Sequence, residues 1–122
     1  MKDRLQDMWD QQESFMRLLQ EKRGFPLFPV DLESKHGQKF LKSVTYECMG
    51  ELFEANQELK NGKDHRATHV SNFDRSAYVE ELCDSFHYFL EIVIASGVSL
   101  DEFYAAYIEK GRLNERRIND GY

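Results

Sequence analysis

Apolar residues recur at spacings of three and four along most of this 122-residue chain, and polar breaks divide it into four helical stretches. The first covers about residues 3 to 21 and stops ahead of Gly24 and the loop Phe25-Pro26-Leu27-Phe28-Pro29. Phe40, Leu41, Val44, Cys48, Leu52, Ala55 and Leu59 mark the second, with Gly62 as its expected stop. A polar loop over residues 61 to 72 follows, and Asp74 or Ser76 is placed to cap a third helix over about residues 75 to 96. That helix is apolar on most sides and is expected to sit centrally. Gly97 ends it, and Ser99-x-x-Glu102 forms a capping-box pattern that opens a fourth helix carrying Leu100, Phe103, Tyr104, Tyr107 and Ile108 inward. The pattern predicts an all-α fold, one domain of four helices without internal repeats.

Composition narrows the class. With 41% apolar and 31% charged residues the chain reads as a globular protein. No segment approaches the roughly 18 uninterrupted apolar residues of a membrane span, and the first residues lead into polar sequence, so a cytoplasmic protein is expected. A net charge of −6 argues against a general nucleic-acid binder, although 16 basic residues can still be concentrated at one place. Cys48 and Cys83 both fall in apolar-periodic stretches and are expected to be small, buried, reduced core residues. A single layer of helices from so short a chain leaves apolar surface uncovered, which makes self-association the expectation.

The chemistry lies in the acids. Glu47, Glu51, Glu54 and Glu58 are separated by four, three and four residues, a spacing that stacks them in one stripe beside the apolar one. Like charges at this spacing repel, so the stripe calls for a cation. On the third helix Glu81 and Asp84 project one turn apart, with Glu91 further along. Carboxylates from two facing helices are the hard ligands that Mg2+ prefers, with Mn2+ as the alternative ion. Solvated acidic faces are the plain alternative, and it suits Glu58 and Glu91 better than Glu51, Glu54, Glu81 and Asp84, because Glu81-Leu82-Cys83-Asp84 lies within the most apolar helix.

Glu51-x-x-Glu54, 26 intervening residues, then Glu81-x-x-Asp84 resembles the metal-binding signature of the all-α nucleoside triphosphate pyrophosphohydrolases, which include MazG-like proteins and dimeric dUTPases. The stretch from Lys110 to Tyr122 is similar to the dimeric dUTPase pattern K-N-x-x-N-x-x-R-Q-x-x-G-Y at five of its seven fixed positions; Gly111 and Ile118 are the departures. Lys110, Asn114 and Arg117 share one helix face and would form a comb of donors for a triphosphate. Arg112 and Arg116, on another face, read as solvated surface. Met8-Trp9-Asp10-Gln11 looks like the family's M-x-x-Q segment, which implies that Gln11 or Gln12 reads the base and Trp9 packs on it. His87-Tyr88 corresponds to the family's H-F pair, which implies contact with the deoxyribose; a core-filling aromatic pair would read the same way.

The resemblance implies a homodimer that uses Mg2+ to hydrolyse a nucleoside triphosphate, dUTP in the first place, between the α- and β-phosphates. Glu51, Glu54, Glu81 and Asp84 would hold metal, and Glu51 or Glu54 would activate water. Two other readings compete with dUTP hydrolysis. A MazG-like hydrolase would act on dCTP, modified or several nucleotides, and a helical adaptor without enzymatic activity would use its apolar stripes to bind a partner.

Overall fold

The computed structural model of the chain describes residues 3 to 121, so Tyr122, the last matched position of the C-terminal pattern, lies outside the described residues. Among the described residues there are four α-helices and no strand: α1 (Arg4–Arg23), α2 (Lys35–Asn56), α3 (Arg75–Ala95) and α4 (Leu100–Asn119). Each starts on a side-chain cap. Asp3 accepts from the Gln6 amide, Ser34 from Gly37, Asp74 from Ala77 and Ser99 from Glu102, which satisfies one otherwise orphaned donor per helix. α1 closes on Gly24 in the left-handed conformation (φ 66°), whose amide bonds to the Gln20 carbonyl while that of Phe25 reaches Leu19. Glycine adopts this backbone without a Cβ penalty.

α3 is central, packing chiefly on α2 and also on α1. Trp9 and Met16 of α1 meet Leu90, Val93, Ile94 and Ala95 of α3 in the core, and Phe28, Phe40, Leu41, Val98, Leu100 and Phe103 close around them. The α2–α3 crossing is held by a buried polar clamp. The Ser85 hydroxyl donates to the Cys48 carbonyl at 2.9 Å, and the Cys48 thiol donates to the Ser85 carbonyl at 3.3 Å. The α1–α2 connection is tied to the end of α3 by the Val30 amide, which donates to the Ala95 carbonyl at 2.8 Å.

Three expectations are corrected. α2 ends at Asn56, well short of Gly62. The amides of Glu58 and Leu59 bond back to the carbonyls of Ala55 and Asn56, tightening the chain into turns, and the Asn61 side chain donates from Nδ2 to the Val70 carbonyl and accepts at Oδ1 from the Val70 amide, stapling the following loop. Glu58 therefore leaves the acidic stripe. α4 does not turn its apolar face into the core. Leu100 and Phe103 in its first turn are half-buried, but Tyr104 and Tyr107 are exposed and no residue of α4 is buried. Ile108 and Leu113 further along are half-buried, but α4 packs extensively on no other helix. Cys83 is exposed, while Cys48 is buried, and both are free thiols.

Much apolar surface is uncovered. Val79, Leu82, Phe86 and Phe89 form an exposed stripe on α3, and Tyr46, Met49 and Phe53 another on α2. The accessible area is 9785 Å2 for 14.4 kDa, whereas a compact monomer of that mass exposes about 6,800 Å2. No described helix is long and apolar enough to cross a membrane.

Candidate functional site

The Cys48–Ser85 clamp fixes the register of α2 against α3, and one turn away from it the acidic residues of the two helices meet. Glu51, Glu81 and Asp84 are half-buried, and one oxygen from each lies within 4.8 Å of the others. Glu54 is exposed and adjoins the group, its carboxyl reaching both Glu51 and Glu81. The spacings 51/54 and 81/84 thus do bring all four predicted acids together.

The electrostatics are those of a cluster short of positive charge. The Oε2 atoms of Glu51 and Glu81 are buried without any hydrogen-bond donor among the described residues. Ionised carboxylates only accept, so either a proton or a cation must lie between them. Without a cation the proton resides on Glu81, whose pKa is pushed up to about 7 by its hydrogen bonds to Glu51 and Glu54, by burial and by their negative charge. Hydrogen bonding from Glu81 works to lower the pKa of Glu51, but burial and the charges of Glu54 and Asp84 outweigh it and leave that pKa raised. Hard oxygen donors on two rigid helices, with buried lone pairs lacking partners, suit a divalent cation such as Mg2+.

The cluster borders a cavity of about 880 Å3 between α1, α2 and α3, within the size range of small-molecule sites. Its acidic end carries Glu47, Glu51 and Asp84; Phe15, Leu19, Phe25 and Phe40 supply apolar wall. Of the residues predicted to contact base or sugar, Gln11, His87 and Tyr88 line the cavity, as does Gln12. Gln12 is buried and its Oε1 lies 3.0 Å from His87 Nδ1. A proton on Nδ1 makes this a hydrogen bond and leaves Nε2 as the acceptor nitrogen. Burial first, then the carboxylates of Glu47, Glu51, Glu91 and Asp84, raise the Tyr88 pKa, so its phenol remains a donor at neutral pH.

Other predicted residues lie elsewhere. Trp9 is a core residue packed among Met16 and the α3 aliphatics and does not line this cavity. Lys110, Asn114 and Arg117 stand in the C-terminal half of α4, and none of them lines it either. Arg112 and Arg116 lie on the exposed face with Glu109, at 3.9 and 4.0 Å.

Glu91, for which a solvated face is the plain expectation, is instead 6% exposed and lines the cavity. Its position inside Phe89-Leu90-Glu91-Ile92-Val93, an acid in an otherwise apolar run, is the signal in the sequence that marks it. Searches against protein-family models, curated proteins and solved structures found no match to this chain.

Proposed function

We propose that the protein is a Mg2+-dependent nucleoside triphosphate pyrophosphohydrolase that converts dUTP to dUMP and pyrophosphate. The observation that carries this reading is the pair of buried, donor-less oxygens on Glu51 and Glu81, in a cluster with Asp84 at the acidic end of a nucleotide-sized cavity. Glu51, Glu81 and Asp84 would hold the ion, with Glu54 beside them. When bound, Mg2+ supplies positive charge against the triphosphate oxygens and acidifies water. Among the four acids Glu54 is the most open to solvent, which suits it to take the proton from the attacking water. Tyr88 and His87 present a donor and an acceptor nitrogen to the nucleoside, and the phenylalanines around them exclude water from it.

The Lys110, Asn114 and Arg117 comb would stabilise charge on the departing pyrophosphate. Because these residues do not line the cavity of a single chain, we assign the comb to an assembled homodimer. The excess of exposed area, roughly 3,000 Å2 over a compact monomer, exceeds the approximately 800 Å2 per partner of a standard interface. The apolar stripes on α2 and α3 are the surface that a second copy would cover.

Pyrophosphate release with Mg2+ across dUTP, dCTP, dTTP, dATP, dGTP and the ribonucleotides tests the activity, with Glu51→Gln as control. Selective cleavage of dUTP that is lost in the control is the expected result. Activity centred on dCTP or spread over several nucleotides moves the protein to the MazG-like class. If no triphosphate is cleaved and none raises the melting temperature, the helical adaptor replaces the enzyme. Sedimentation should return about twice 14.4 kDa.

A further inference from the structure

Asp84, Tyr88 and Glu91 follow one another at spacings of four and three on α3, and all three line the cavity. Along the helix axis Glu91 lies about 10.5 Å beyond Asp84 at 1.5 Å per residue, close to the span of a nucleoside monophosphate. Its surroundings differ from those of the metal cluster. Leu19, Phe25 and Phe40 border it, Met16 and Ala95 share a smaller neighbouring cleft with it, and among the described residues no Lys or Arg lines the cavity. The residue is 6% exposed; its negative charge acts on Tyr88, and among the described residues its carboxyl makes no hydrogen bond or ion pair. Burial alone raises its pKa.

A buried carboxyl without a partner is costly to the fold, and an apolar side chain would fill this place better. A group placed at such a cost, opening on a cavity away from the acids proposed to hold the metal, is suited to meet a ligand.

We propose that Glu91 is the specificity-determining residue of this cavity. Its carboxyl accepts a hydrogen bond from an N–H donor on the edge of a nucleobase whose phosphates lie toward Glu51 and Asp84. The proposal rests on the reading of the cavity as a nucleotide site and adds what that reading leaves open, the group that recognises the base. A carboxyl oxygen can accept whether or not the acid is ionised. The donor is shared chemistry, present as the ring N–H of uracil and as the exocyclic amino group of cytosine, and Phe25 and Phe40 supply apolar wall to the same cavity.

The test compares wild type, Glu91→Leu and Glu91→Gln in pyrophosphate release from dUTP, dCTP and 2-deoxyribose 5-triphosphate, which has no base, alongside the melting temperature of each protein. Glu91→Leu should raise KM for the preferred nucleotide about tenfold, the worth of one buried hydrogen bond. It should change KM for the base-free triphosphate less than about twofold, and kcat little. Glu91→Gln keeps an acceptor oxygen and should stay within about threefold of wild type. Glu91→Leu should melt at or above the wild-type temperature, because it removes an unpartnered carboxyl from an apolar site. A larger KM effect with dCTP assigns the amino group, and one with dUTP the ring N–H; both support the proposal. An unchanged ratio between base-bearing and base-free substrates, or a lower melting temperature for Glu91→Leu, overturns it while leaving the hydrolase reading intact. Absence of cleavage of every triphosphate by wild type overturns both.

Discussion

Binding of a divalent cation at the acidic cluster should expel a proton, in an amount that the geometry fixes. Glu51 and Glu81 each bury an oxygen without a donor, and in the metal-free protein the proton between them belongs to Glu81, with a pKa of about 7. A metal ligand must be deprotonated. At pH 6 a group with this pKa is about 0.9 protonated, and at pH 8 about 0.1. Titrating Mg2+ into the protein should therefore release nearly one proton per chain at pH 6 and almost none at pH 8. The raised pKa of Glu51 adds to the release at the lower pH. Isothermal calorimetry in buffers of different ionisation enthalpy reads this number directly, as the slope of observed heat against buffer heat. Glu81→Gln should remove most of the pH-dependent part, leaving the smaller share of Glu51. Stability carries the same linkage. Between the ordinary glutamate pKa and about 7 the folded chain holds a proton that the unfolded chain has lost, so the metal-free protein should lose stability as pH rises through that window. Saturating Mg2+ should cancel the loss. A slope near zero at both pH values, or Mg2+ that leaves the pH dependence of melting untouched, would refute the cluster as a cation site.

Two further changes test the frame that positions the site. Gly97 has φ of 78°, and a Cβ there would come within 2.9 Å of the Pro29 Cβ, so Gly97→Ala combines backbone strain with overlap; it should cost roughly 1–3 kcal/mol in urea unfolding. Ser85→Ala leaves the Cys48 carbonyl without its 2.9 Å donor at the α2–α3 crossing. A loss of about 1–2 kcal/mol, or roughly 4–8 °C in melting temperature, is expected, together with weaker Mg2+ binding, because the clamp sets the register of Glu51 against Glu81 and Asp84.

The four helices and their caps were written in local chemistry. Asp3, Ser34, Asp74 and Ser99 start helices because a short acceptor at a helix start satisfies an amide, and Gly24 and Gly97 end them because they accept a positive φ. The acidic cluster was legible for the same reason. A three-residue interval on each of two helices places both acids on one face, whatever the helices do next, so Glu51, Glu54, Glu81 and Asp84 needed only the apolar stripes to pair. The early end of α2 was less visible, since it depends on how Asn61 grips Val70 across the loop.

Tertiary structure alone decided the rest. An apolar residue on a helix face signals that something covers it, but the periodicity does not name the covering surface. Tyr104 and Tyr107 follow the same pattern as Phe103, yet they are exposed because no other helix packs extensively on α4. Trp9 likewise enters the core because α1 crosses α3 at that point. Glu91 differs from Glu58 in environment rather than in type. One is half-buried in the turns after α2, and the other lies beside Leu19, Phe25 and Phe40, brought to it by α1, the following loop and α2. Spacing along one helix sets which side chains stand together; burial, and with it the cost and purpose of a charge, is set by segments far away in the chain.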